Sequence, residues 1–224
     1  MAGILFIISA PSGSGKSTLV NQLRPLVEGL DFSISYTTRG PRGSEEDGRE
    51  YHFINREEFE RMIAAGDFLE WAEVFGNYYG TAVSALQHAK DVGKDLLLDI
   101  DVQGASQVMK KLPQAVSIFV LPPSPEILEM RLRRRSEAEE AASKIPITEA
   151  KILKRLAAAQ NELKRIWDYK YALVNDVLDQ AVTELRAIVL SERGVRDGVK
   201  TIASSCRTDT PSPKLKAALK KFQD

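Results

Sequence analysis

Apolar positions along the chain follow two periods. Ile4-Leu5-Phe6-Ile7-Ile8 is an unbroken apolar run. Such runs mark strands buried on both faces of a parallel sheet. Asp95 to Val102 reads as another core strand, ending in the carboxylates Asp99 and Asp101. Ser117 to Leu121 is a third, closed by Pro122-Pro123, and Tyr171 to Asn175 a last one. Phe32 to Tyr36 alternates apolar and polar and predicts one further strand. Between these runs the spacing turns helical. Ser17 to about Glu28 carries Leu19, Val20, Leu23, Leu26 and Val27, with Pro25, which has no amide to donate, near its end. Residues 49–90 mix short strand-like pieces with a helix over Arg56 to Ala65. Pro125 to about Trp167 is long, charged and helical, interrupted near Ile145-Pro146, and Leu178 to Glu192 is an amphipathic helix. Strands alternating with helices predict an α/β protein with a parallel sheet.

Composition narrows the class. A length of 224 residues suits one compact domain, or one core with two small inserted lobes. Lys and Arg together number 31, as do Asp and Glu, which argues against a globally basic nucleic-acid binder. The single cysteine, Cys206, permits no internal disulfide and fits a reducing cytoplasm. The first apolar run lacks a basic leader and does not read as a signal peptide. No run approaches the roughly 20 residues of a membrane span. From Gly194 onward the chain differs, with Ser, Thr, Pro and Gly dominating the middle of the stretch and basic residues outnumbering acidic ones. Residues 194–224 are therefore expected to be a disordered basic tail, in which Lys214 to Phe222 could form a short amphipathic helix.

The most specific local signal is Ala10-Pro11-Ser12-Gly13-Ser14-Gly15-Lys16-Ser17. It matches GxxxxGK[ST] with Ala10 for the first glycine, between an apolar strand and a helix. Gly13 and Gly15 let successive amides turn toward a phosphate. The helix behind them directs its positive end at the same point. Lys16 supplies a mobile charge, Ser17 a hydroxyl for Mg²⁺, and Ser12, Ser14 and Thr18 complete the loop around the nucleotide phosphates. A plain glycine turn would account for Gly13 and Gly15, but not for Lys16-Ser17. The loop alone does not choose among GTPases, motor ATPases and small-molecule kinases.

Further motifs follow in order. Ser9 to Thr18, Ser35-Tyr36-Thr37-Thr38-Arg39-Gly40-Pro41-Arg42, Gly48 to Phe53, Phe68-Leu69-Glu70-Trp71-Ala72, Tyr79-Gly80-Thr81, Asp99 to Gly104 and Val174-Asn175-Asp176 together resemble the guanylate kinases, from about residue 3 to 193. The resemblance implies a P-loop NTPase-type parallel sheet with helices on both faces, an inserted GMP-binding lobe and a helical lid. The core would take about 1–36, 91–124 and 169–193, the lobe about 37–90 and the lid about 125–168. It implies that Arg39, Arg42, Tyr51 and Tyr79 hold the acceptor phosphate, and guanidinium forks suit phosphate oxygens. Glu70 would read the base. A carboxylate only accepts, and guanine offers two donors, N1–H and the 2-amino group, where adenine offers an acceptor at N1. Ser35, Thr81 and Asp101 would complete the pocket, with Thr81 standing where relatives often have Ser. Asp99 would face the Mg²⁺ shell or, with Asp101, the acceptor nucleotide. Taken singly, each tyrosine reads equally as a core ring, Glu70 as a surface carboxylate, and the arginines as solvated loop residues.

The resemblance also implies that Arg131, Arg135 and Arg155 close onto the phosphates. Arg133 and Arg134 read as a solvated basic face. The link from Ser136 to Lys154 is longer than in bacterial-type relatives. The implied reaction is transfer of the γ-phosphoryl of ATP to GMP, with Lys16, the lid arginines and Mg²⁺ offsetting charge. The expected partners are ATP and GMP, with neither nucleic acid nor membrane. A ribose-bisphosphate kinase would not need Glu70 with Ser35 and Thr81. A non-catalytic scaffold domain would not need Lys16 and Ser17, and a regulatory GTPase would carry an N-K-x-D motif, which is missing.

Overall fold

The computed structural model describes residues 3–143, 148–195 and 198–223. The predicted interruption at Ile145-Pro146 lies outside them. In chain order the strands and helices are β1 (Leu5–Ser9), α1 (Lys16–Leu23), β2 (Leu30–Phe32), β3 (Ser35–Thr37), β4 (Tyr51–Phe53), α2 (Arg56–Ala65), β5 (Phe68–Val74), β6 (Asn77–Ala82), α3 (Val83–Asp91), β7 (Asp95–Asp99), α4 (Val102–Lys111), β8 (Val116–Leu121), α5 (Pro125–Ser143), α6 (Glu149–Leu163), β9 (Tyr171–Val174), α7 (Leu178–Glu192), α8 (Val199–Ser205) and α9 (Pro213–Lys220). Five strands form a sheet in the order β2-β7-β1-β8-β9, with helices on both of its sides, and four more form a sheet in the order β4-β3-β6-β5. The fold is the α/β class that the alternating pattern predicted. By its contacts the chain divides into two compact units. One takes the residues up to Ile7 with Gly29–Ala115, the other Ile8–Glu28 with the residues from Val116 on.

In the first unit β2 pairs in parallel with β7, Leu30 opposite Asp95. Leu96, Leu97 and Leu98 are buried, as an apolar run in a parallel sheet requires. The alternating stretch from Phe32 to Tyr36 is not one strand. It ends β2, turns at Ser33-Ile34 and begins β3, which pairs in parallel with β4 and antiparallel with β6. Alternation reports a period but not a partner, so it could not separate two strands belonging to two sheets. β5 and β6 form a hairpin with Phe75 and Gly76 at its tip, both at positive φ, as a two-residue turn of this hand demands. Behind it the rings of Phe59 and Phe68 stack at 4.4 Å.

α2 spans the residues its periodicity predicted. Asn55 caps it, accepting from the Glu58 amide at 2.8 Å, and Gly66 ends it in the left-handed region. Asp101 does not extend β7. The strand stops at Asp99, and Asp101 caps α4, its Oδ1 accepting from the amides of Gln103 (2.7 Å) and Gly104 (3.2 Å). The predicted strand over Asp95 to Val102 is therefore shorter than expected, and only Asp99 stands at its end.

In the second unit β8 pairs in parallel with β9. α1 is shorter than its spacing suggested. It stops at Leu23 and tightens into a 3₁₀ turn over Arg24–Leu26, where Pro25 cannot donate, and Leu26 is left exposed. The expectation of a disordered tail is corrected. Its described residues form α8 and α9, which bury Ala203, Cys206, Leu215 and Ala218. The Ala172 amide donates to the Cys206 carbonyl at 2.8 Å, and Tyr171 bridges Arg207, so the tail covers the edge of β9. Ser212 and Pro213, which weighed toward disorder in the composition, are the cap and first residue of α9.

Candidate active site

In the second unit the loop from Ala10 to Ser17 joins β1 to α1. Gly13 (φ 92°) and Gly15 (φ 82°) take the left-handed turns that other residues resist, and the Ser14 amide donates to the Pro11 carbonyl at 3.1 Å. The Ser14 carbonyl accepts from Asn175 Nδ2 at 2.8 Å and from Arg131 Nη1 at 3.3 Å. Arg131 Nη2 also donates to the Asn175 carbonyl at 3.2 Å. Anchoring this carbonyl fixes the orientation of the peptide plane that carries the Gly15 amide. A Cβ on Gly15 would meet Asn175 Nδ2 at 2.5 Å. Asn175 is thus a loop anchor that sequence reasoning did not single out. Its sequence signal was a place in the Val174-Asn175-Asp176 motif, to which no role was given. The hydroxyl of buried Ser14 has no protein partner.

Ser17 and Thr18 lie exposed in the first turn of α1. Among the described residues no cluster of three His, Cys, Asp or Glu could hold a metal. The exposed hydroxyl at the start of α1 fits Mg²⁺, which binds through one or two hard protein oxygens plus nucleotide phosphates. The Ser17 hydroxyl is such an oxygen.

α5 delivers two of the three expected arginines to the loop. Arg131 reaches Ser14, and Arg135 Nη1 donates to Ser12 Oγ at 3.3 Å. Burial holds the Arg131 guanidinium below its ordinary value, and the charge of Asp176 offsets this only in part. Arg155 is placed differently. It is 5% exposed and donates to Ser136 Oγ at 3.0 Å and to Glu139 Oε2 at 2.7 Å. The other Glu139 oxygen accepts from Arg135 Nε at 3.2 Å, so one carboxylate serves both arginines. Arg133 is not a bare solvated charge either, since it forms a fork with Glu149 across α5 and α6.

The first unit holds the residues expected to bind the acceptor. Arg39 is buried in the loop after β3. Its Nη1 and Nη2 donate to Glu45 at 2.7 and 3.1 Å, while its Nε, also buried, has no partner. Burial works against its charge, but Glu45 and Tyr79 outweigh burial and bind its proton more tightly. Glu45 also accepts from the Arg42 amide at 2.8 Å. Burial alone would raise the Glu45 carboxyl, and the bonds from Arg39 and Arg42 bring it below the usual range. Glu45 escaped the sequence reading because an acidic residue in a polar loop carries no distinguishing pattern. The Arg39 guanidinium stands 5.1 Å from the Tyr51 ring centre, and the Tyr51 and Tyr79 rings meet edge-on at 5.9 Å. Burial first, and then the charge of Asp99, push the Tyr51 phenol up to about 12, so it stays a donor at neutral pH.

Register builds the corner expected to read the base. Glu70 in β5 lies opposite Thr81 in β6, and Ser35 Oγ in β3 is 3.3 Å from Thr81 Oγ1. All three are buried, with Glu70 only 2% exposed. Gly104 of α4 faces Glu70 so closely that a Cβ there would overlap Glu70 Oε2. A carboxylate removed from water to this degree is costly unless matched by donors. Arg39, Tyr51 and Tyr79 are therefore brought together, as are Ser35, Glu70 and Thr81. Asp101 serves as the α4 cap.

The chain is similar to known proteins along most of its length. The family model described as guanylate kinase matches residues 3–192. A guanylate kinase of Koribacter versatilis is 57% identical over 193 residues, covering 86% of this chain and 80% of its own length. One from Alkalilimnicola ehrlichii is 46% identical, covering 86% and 91%. The crystal structure of guanylate kinase from Anaplasma phagocytophilum superposes with a TM-score of 0.68 at 33% identity, covering 91% of this chain and 95% of that one. With a family match across most of its length, and relatives this similar over nearly their full extent, the chain belongs to the guanylate kinase family.

Proposed function

We propose that this protein transfers the γ-phosphoryl group of ATP to GMP, giving ADP and GDP, and that dGMP is also accepted. The observation that carries the choice of acceptor is the burial of Glu70 beside Ser35 and Thr81. A buried carboxylate only accepts, so it favours a ligand edge that brings donors to it. Guanine supplies two donors and adenine does not, so base choice follows from what each leaves unpaired. The sugar plays no part in this argument, so the 2′-deoxy nucleotide fits equally.

Arg39, Arg42, Tyr51 and Tyr79 bind the acceptor phosphate in this reading, with charged forks and neutral phenols as donors. Binding requires Arg39 to share its guanidinium between the phosphate and Glu45. The donor triphosphate lies in the loop from Ser12 to Thr18, against its amides and Lys16. Mg²⁺, held with the nucleotide by the Ser17 hydroxyl, supplies charge compensation on the phosphate oxygens. Asp99 bears on the acceptor side through Tyr51, and Asp101 supports the pocket from the α4 cap. The acceptor oxygen is already anionic, so no general base is needed, and the protein contributes position and opposite charge. Arg131 and Arg135 lie at the loop for that purpose. Arg155 joins them only by leaving Glu139. ATP and GMP are the partners this reading requires, and a reducing cytoplasm suits the free Cys206.

A coupled ADP-release assay with Mg-ATP and, in turn, GMP, dGMP, AMP, CMP and UMP tests the proposal. Turnover is expected with GMP and dGMP alone. Lys16→Ala should lower kcat/KM by at least about a hundredfold while the fold persists. Turnover with AMP at the level of GMP would overturn the role given to Glu70.

A further inference from the structure

The family match ends at residue 192, yet the chain runs on through α8 and α9. That extension ends on an apolar cluster at the base of α5. Leu128 and Leu132 of α5 and Ala159 of α6 form its buried centre, and Leu156 and Phe222 pack against it. The same two leucines meet the phosphate loop. A Cβ on Gly13 would lie 3.0 Å from Leu132 Cγ and 3.1 Å from Leu128 Cδ1. Phe222 thus packs against the same cluster whose leucines, on another side, back Gly13. α5 also carries Arg131 and Arg135, which hold Ser14 and Ser12. The tail reaches this place by a fixed route. Arg207 bridges Tyr171 at the β9 edge, and α9 buries Leu215 and Ala218, while the Lys214–Glu184 pair at 2.9 Å is a surface contact beside that packing.

We infer that Phe222 is a positioning residue for ATP binding, acting through Leu128 and Leu132 on Gly13 and on the α5 arginines. The inference rests on the proposed function, since it takes the loop to hold ATP. Packed interiors transmit small displacements because they contain little free volume. A loop that must present several amides to one phosphate loses affinity when its backing shifts. Without Phe222, Leu128 and Leu132 gain room on the side away from the loop, and Gly13 loses its support.

The test compares the full-length protein with Phe222→Ala, Phe222→Leu and Lys214→Ala. Affinity for a non-hydrolysable ATP analogue is measured by calorimetry, and KM for GMP by the coupled assay, well below each variant's melting midpoint. Phe222→Ala should weaken the ATP analogue on the order of fivefold and leave KM for GMP unchanged, with Phe222→Leu recovering most of the loss. Lys214→Ala, at an exposed pair far along α9 from the cluster, should match the parent protein. A Phe222→Ala protein that melts earlier yet binds the analogue as tightly as the parent would overturn the inference. So would equal weakening toward ATP and GMP, which means general loosening. Because analogue binding is read without turnover, a parent protein that bound ATP but did not phosphorylate GMP would refute the proposed reaction and leave this test standing.

Discussion

At the scale of single residues, the site depends on side chains held where water cannot relieve them. Glu70 is the clearest case, and Gly104 is what makes room for it. Gly104→Ala should push the carboxylate out of its corner while keeping α4 helical, because alanine is the better helix former. KM for GMP should rise on the order of tenfold or more, with ATP-analogue affinity unchanged. A variant that kept its GMP affinity would show that Glu70 does not read the base. How much could be read in advance differs from residue to residue. Gly13, Gly15 and Lys16 sit within four positions of one another, so one local motif discloses their job. Asn175 bonds Ser14 from 161 positions away, and no local pattern encodes such a contact. Glu45 is close to Arg39 in sequence, but a bidentate bond depends on how the loop turns, and composition does not record that.

At the scale of elements, α5 and α6 are joined by charge as much as by packing. Glu139 accepts from both Arg135 and Arg155, and Arg155 is buried. Replacing this carboxylate by an amide removes the negative charge that Glu139 places beside a buried cation, which costs more than loss of a surface pair. Glu139→Gln is expected to lower unfolding stability by about 1–3 kcal/mol in urea denaturation. The corresponding change at Glu149, whose pair with Arg133 is exposed, should be nearly silent. If the two variants were equally stable, Arg155 would not depend on Glu139. The arginine spacing in α5 was legible because residues four apart share a helix face, which brings Arg131 and Arg135 to the loop together. The fate of Arg155 was not, since it is decided by Ser136 and Glu139 on the partner helix. The split of Phe32 to Tyr36 between β2 and β3 has the same origin: strand period is local, while sheet membership is set by distant partners.

For the whole molecule, the parallel sheet was legible because four apolar runs carried it, whereas the tail was misread because its averaged composition hid a few well-placed apolar residues. Lys16 and the phosphate-loop residues fall in one compact unit, and Arg39, Tyr51, Glu70 and Tyr79 in the other, so the proposed function calls for titrating ATP and GMP separately. The docked tail also settles the chemistry of the only thiol. Cys206 is 3% exposed, and burial pushes it up to about 11, which leaves almost no thiolate at neutral pH. An aromatic disulfide reagent at pH 7.5 should find close to no reactive thiol in the native protein and one per chain after denaturation. Rapid stoichiometric reaction in the native state would mean that the tail does not stay docked. Because release of the tail must precede modification, the slow colour change of such a reaction would serve as a clock for that detachment, ticking once for each molecule that lets go.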